Sequence, residues 1–120
     1  MKFENLNLHP SLLKAIKDQN YITPTAIQLQ AIPLILNRKD VLGSAQTGTG
    51  KTAAFALPIL HHLINEKQNN NKPKIKALIV TPTRELAIQI GENFKAYSKY
   101  NDIKNTVIFG GVKQGSQTTI

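Results

Sequence analysis

Ala45-Gln46-Thr47-Gly48-Thr49-Gly50-Lys51-Thr52 sets two glycines, a lysine and a hydroxyl within one short stretch. That combination suits a phosphate grip. A polyphosphate is strongly anionic, and free backbone N–H groups at a helix N-terminus, with a cation beside them, hold it well. Gly48 and Gly50 let the backbone curl close to the phosphates without a Cβ in the way. Lys51 is placed to reach the β- and γ-phosphates, and the Thr52 hydroxyl to ligate Mg²⁺, which takes oxygen ligands. The general pattern opens on glycine, where this chain has Ala45. On this stretch alone, an ordinary glycine-rich strand–helix turn is the alternative.

The flanking residues supply what such a loop needs. Asp40 to Ser44 is short and partly apolar, as a buried strand would be, and Ala53 to Ile64 is apolar and rich in helix formers. Strand, loop and helix in that order are the context the motif requires. Pro58 is expected as a kink, with the helix fading near Asn65. Upstream, Phe3 and Leu6 to Leu8 are apolar anchors, and Ser11 is a natural N-cap for a helix to about Asn20. His9 reads as a surface residue. Pro24 pushes Thr23 out of helical geometry. Thr25 then starts a helix to Leu36, which Pro33 kinks or splits. Thr25 and Gln28 are spaced as a capping box, which is the structural alternative to any role for Gln28.

Downstream, Glu66 to Pro73 is a polar connection rich in asparagine, and Ile75 to Val80 reads as a second buried strand. Thr83 is a natural N-cap for a helix from Arg84 to Tyr97, with Leu86, Ile90, Phe94 and Tyr97 spaced 4, 4 and 3 along one face. Asn105 to Phe109 is a third strand, closed by Gly110-Gly111. Strands alternating with helices point to a parallel α/β sheet, whose ligands sit at the carboxyl ends of the strands. The loop at Ala45, the Pro82-Thr83-Arg84 turn and the Gly110-Gly111 turn all follow strand ends, so they belong on one edge.

Composition narrows the class. The 120 residues suffice for one small domain, and 41% of them are hydrophobic. The absence of cysteine excludes a disulfide framework and a cysteine metal site. No run approaches the ~20 apolar residues of a membrane helix, and Met1 to Asn5 lacks the apolar centre of a signal peptide. A soluble, cytoplasmic protein without a membrane partner is expected. The net charge of +8 suits a polyanionic partner such as nucleic acid, and a merely soluble basic surface is the alternative. Most of the excess lies downstream of the loop, where residues 51–120 hold 10 Lys and Arg against 4 Asp and Glu.

The joint pattern resembles the amino-terminal part of a DEAD-box ATP-dependent RNA helicase, from Phe3 to Gly111. Residues 21–28 are similar to the family's Q motif, with Ala26 where proline is commoner, and Phe3 stands at its isolated upstream aromatic. Residues 45–52 resemble motif I, where an initial alanine is normal; residues 82–86 resemble motif Ia and residues 110–111 the Gly-Gly motif. The runs Glu92-Asn93, Tyr97 to Tyr100 and Val107 to Gly111 look most like the bacterial RhlE branch. The resemblance implies a three-layer RecA-like P-loop NTPase fold with a mostly parallel sheet, incomplete at the C-terminus, the whole chain being part of the first RecA-like domain.

The resemblance also implies roles. Gln28 would hydrogen-bond the adenine edge, Tyr21 stack on the ring and Phe3 back the pocket. Gly48, Thr49, Gly50, Lys51 and Thr52, in one loop with Ala45 and Thr47, would hold ATP phosphates and Mg²⁺. Pro82, Thr83, Arg84 and Gly111 would touch the RNA backbone without reading its sequence. Taken singly, each has a plainer alternative: Tyr21 as core, Thr83 as only a cap, Arg84 paired with Asp102 or solvated. The chain stops before the family's Asp-Glu-Ala-Asp segment and second domain. The isolated chain is therefore expected to bind nucleotide weakly, if at all, and neither to turn over ATP nor to unwind short duplexes. A nucleotide- or RNA-binding fragment without catalysis and another P-loop NTPase are the competing functions; motif Ia and Gly-Gly speak against the latter.

Overall fold

Leu57 and Leu60 have no solvent exposure, and the helix that carries them is the centre of the molecule. The computed structural model describes residues 2–43, 50–69 and 77–107. Among these described residues, in chain order, there are a short 3-10 helix, Phe3–Leu6, and four α-helices: α1 Pro10–Asp18, α2 Ala26–Leu36, α3 Lys51–Asn69 and α4 Arg84–Tyr97.

Ala53, Ala56, Leu57, Leu60 and Ile64 form the apolar stripe of α3. Helical spacing of 3 or 4 puts such residues on one face. Ile32 of α2, Leu12 and Ile16 of α1, and Ile90, Phe94 and Tyr97 of α4 join the same core, with Phe3, Leu6 and Leu8 from the N-terminal segment. Fully burying one such large aliphatic side chain stabilises by about 1.5–3 kcal/mol. Helices α1, α2 and α4 all touch α3.

Helix starts follow local chemistry. Thr25 caps α2, its hydroxyl accepting from the Gln28 N–H, and Thr83 caps α4 by accepting from the Leu86 N–H, both as expected. The expected cap of α1 is corrected. His9, not Ser11, is the N-cap, its ring Nδ1 accepting the Ser11 N–H at 3.1 Å. Pro10 explains the shift, because its fixed φ and missing N–H suit the first helical position. His9 is accordingly half-buried, and its backbone N–H donates to His61 Nδ1 on α3 at 2.9 Å.

Helix α2 runs unbroken through Pro33, and α3 continues through buried Pro58 to Asn69 rather than fading near Asn65. His62 on this helix bonds the Ile35 carbonyl at 3.0 Å, and past Asn65 Glu66 faces Arg38 at 3.8 Å. Leu86 departs from the expected apolar face of α4, being 37% exposed, while Ile90, Phe94 and Tyr97 are buried. At the far end of α4, Asp18 of α1 accepts from the Tyr100 hydroxyl and from Lys99 at 3.2 Å. Those two donors, Tyr100 first, hold the Asp18 carboxyl below the usual carboxylate range.

No strand pairing occurs among the described residues. Residues 40–43, 77–80 and 105–107, the described parts of the expected strands, are non-helical and join no ladder. A parallel sheet buries both faces of its strands. Here Leu42 is fully exposed, and Leu78 and Val80 nearly so, which leaves these segments uncovered. No helix among the described residues is long and apolar enough to cross a membrane.

Candidate nucleotide-binding site

Gln28 is only 3% exposed, and both ends of its amide are engaged. Its Oε1 accepts the Thr25 N–H at 2.9 Å, and its Nε2 donates to the Gly50 carbonyl at 3.2 Å. The first bond completes the capping box of α2; the second reaches the residue before α3. A primary amide has two donor hydrogens and two acceptor lone pairs, so one of each stays unassigned by these bonds. The cap and a second role are therefore compatible.

Gly50 has φ +82°. A left-handed conformation of this kind favours glycine. A Cβ there would run into the Gln28 amide and lie 3.2 Å from Thr25 Oγ1. Two observations thus require glycine at this position: the backbone conformation and the close approach of Gln28. Gly50 delivers the chain into α3, and its carbonyl accepts the Ala54 N–H at 3.1 Å.

Lys51 is the first residue of α3 and is exposed; Thr52 follows, half-buried. The first turn of α3 carries no acidic residue. Its leading N–H groups have no partner within the helix. Partial positive charge, free donors, an exposed ammonium and a hydroxyl are a donor set that fits phosphate and a hard cation. The preceding members of the expected grip, Ala45, Thr47, Gly48 and Thr49, lie outside the described residues.

Phe3, Tyr21 and Tyr97 form a chain of three aromatic rings in contact. Phe3 is buried and stacks on Tyr21, with ring centroids 6.3 Å apart and planes 28° apart. Tyr21 is 37% exposed, which corrects the plain alternative of a core tyrosine. Its hydroxyl meets that of Tyr97, on α4, at 3.1 Å. Sequence reading took Tyr97 only as an apolar-face residue. The available signal was its hydroxyl, since a buried tyrosine usually finds a hydrogen-bond partner.

Pro82, Thr83 and Arg84, the expected RNA contacts, are exposed at the start of α4. The Thr81 hydroxyl donates to the Thr83 carbonyl at 2.9 Å, and the Thr83 hydroxyl accepts from Leu86 at 3.2 Å. The cap reading of Thr83 is realised, and it fixes the turn from which Arg84 projects. Gly110 and Gly111 lie outside the described residues.

The profile of DEAD/DEAH box helicases matches residues 25–119. The chain belongs to that family. Phe3 and Tyr21 lie just ahead of the matched span. SrmB of Haemophilus influenzae, named an ATP-dependent RNA helicase, is 47% identical over 111 residues, 92% of this chain and 25% of that protein. The Prp28 RNA helicase of Chaetomium thermophilum, solved with ADP, superposes with a TM-score of 0.85 at 36% identity, covering 98% of this chain and 29% of its own. Dbp5 of S. cerevisiae, bound to RNA and ADP BeF3, gives 0.74 at 36% identity, covering 85% and 25%. These likenesses establish the DEAD-box RecA-like fold, in a chain that spans about a quarter of the relatives' length. DEAD-box helicases use ATP and bind RNA.

Proposed function

We propose that this chain supplies the nucleotide grip, and part of the RNA-binding surface, of an ATP-dependent RNA helicase that opens short duplexes. The observation that carries the reading is the Gln28–Gly50 bond, which joins the segment expected to read adenine to the residue that launches Lys51. Gln28 keeps one donor and one acceptor for the base edge, and the exposed ring of Tyr21, backed by Phe3, offers a stacking surface. Lys51 and the first turn of α3 hold the β- and γ-phosphates, with Ala45 to Thr49 as the rest of the loop.

Thr52 would hold Mg²⁺ through its hydroxyl; the ion would neutralise charge on the transferring phosphoryl group. Among the described residues no group of three His, Asp or Glu side chains could hold a metal. The relatives are about four times as long as this chain, and we assign hydrolysis and unwinding to a protein of that length that carries it, working in the cytoplasm. Pro82, Thr83, Arg84 and Gly111 contact the RNA sugar-phosphate backbone, which positions a strand without reading its sequence.

The test is a calorimetric titration of that full-length protein with ATP and with GTP in the presence of Mg²⁺. A preference for ATP of roughly tenfold or more, the scale of one or two lost hydrogen bonds, is expected. Equal affinities would refute the assignment of Gln28 to the base.

A further inference from the structure

We propose that Tyr97 is a positioning residue for the nucleobase: from the end of α4 its hydroxyl holds the ring of Tyr21 at the angle needed to stack on adenine. The inference deepens the proposed nucleotide site and rests on it.

Tyr21 sits on a short non-helical segment between α1 and α2. Asn20 before it has φ +62°, and the Tyr21 N–H donates to the Ile16 carbonyl at 3.0 Å. The backbone is thereby anchored to the end of α1. The ring itself needs separate restraint, because an exposed tyrosine changes rotamer freely.

Two partners supply that restraint. Phe3 covers one face in a near-parallel stack. Tyr97 meets the ring edge-on, with centroids 6.2 Å apart and planes at 61°, and the two hydroxyls bond at 3.1 Å. Tyr97 is 2% exposed and lies in the core with Ile90 and Phe94, so its position is fixed by packing. Burial, reinforced by the Tyr21 hydroxyl, pushes the Tyr97 pKa well above the usual phenol value, so it remains a protonated phenol. With one face on Phe3 and the phenol tip tied to Tyr97, the exposure left to Tyr21 is an open face. A ring held in place before binding loses less freedom when a base stacks on it.

Tyr97→Phe removes the hydroxyl and keeps the packed ring. The full-length protein and this variant are titrated with ATP and with inorganic tripolyphosphate, each with Mg²⁺. Tripolyphosphate engages Lys51 and the loop but has no base. The expected result is a Kd for ATP raised roughly 3- to 10-fold, the effect of one lost hydrogen bond, with tripolyphosphate affinity unchanged. Tyr21→Phe should match it, and the double variant should lose no more than either single one. Thermal melting of each variant checks the fold.

An unchanged Kd for ATP in Tyr97→Phe would overturn the proposal. So would an equal loss for both ligands, which would mark Tyr97 as only a core residue, or additive losses in the double variant. If the unmutated protein binds tripolyphosphate as tightly as ATP, the base site itself is wrong and the inference falls with it.

Discussion

The Gln28 side chain donates to the carbonyl of Gly50 at 3.2 Å, across 22 residues of sequence. The same amide caps α2 through Thr25. Two substitutions separate these duties. Gln28→Ala removes both bonds and should destabilise the fold by about 1–2 kcal/mol, the usual worth of a cap. Gln28→Glu keeps the oxygen that accepts from Thr25 but cannot donate to a carbonyl when ionised. It should lose the preference for ATP over GTP and, with a buried carboxylate oxygen facing the Gly50 carbonyl, melt lower although the cap is kept. Thermal melts and nucleotide titrations on both variants decide. Equal melting with retained base preference in Gln28→Glu would show the Gly50 bond to be incidental.

Gly50→Ala attacks the same junction from the other side. The substitution places a Cβ in a left-handed backbone conformation, costing about 1–2 kcal/mol, and pushes it against the Gln28 amide. Both effects disturb the start of α3. The expected outcome is a lower melting temperature and weaker binding of ATP and tripolyphosphate alike. That common loss contrasts with the base-specific loss expected for Tyr97→Phe.

Lys51→Ala should abolish ATP turnover in the full-length protein while sparing the fold. Lys51 is exposed at the first turn of α3, so no core packing is lost. An exposed substitution of this kind changes stability by roughly 0.5 kcal/mol or less. Circular dichroism and an ATPase assay are the measurements. Retained turnover would remove Lys51 from the phosphate site.

What was legible in the sequence divides along the range of the interactions. Thr25, Thr83 and the spacing of Ile90, Phe94 and Tyr97 act within a few residues, and the structure follows them, with Leu86 the exception. The start of α1 shifted because Pro10 competes with Ser11, a local effect that a cap residue alone does not reveal. The three strands were read from apolar runs, but a ladder needs partners distant in sequence, whereas a helix closes its own hydrogen bonds. Residues 40–43, 77–80 and 105–107 carry no such pairing here. The link from Tyr21 to Tyr97 spans 76 residues, so no local pattern announces it. Gln28 was legible as a cap, and the structure shows that cap; its bond to Gly50, 22 residues away, was not legible.

Arg84→Ala should weaken binding of all single-stranded RNAs about equally. Thr83 caps α4 and holds Arg84 exposed at its first position. A guanidinium against a phosphate contributes affinity without sequence information. Losing one such contact should make the slope of log affinity against log salt shallower by about 0.7, the single-strand value. Fluorescence anisotropy with several unrelated oligonucleotides, at a series of salt concentrations, is the measurement. A loss confined to one sequence would contradict the backbone role.

The last prediction concerns acid. His61 Nδ1 accepts the His9 N–H at 2.9 Å, tying the start of α1 to α3. Only an unprotonated Nδ1 can accept. Burial, with charge on His62 and His9 adding to it, holds the His61 pKa below its ordinary value of 6.5. Ser11 and Asn65 approach these rings as neutral groups. The folded state therefore binds fewer protons at His61 than the unfolded chain. Its contribution to stability is present above pH 6.5, where both states are neutral at this site, and is lost as pH falls through the lowered folded value. The melting temperature should drop between neutral pH and about pH 5. His61→Asn offers an amide oxygen that accepts without titrating, and should flatten part of that decline. Melts of both proteins across the same pH series measure it; an identical decline in the two would mean that the His9–His61 bond does not set the acid response.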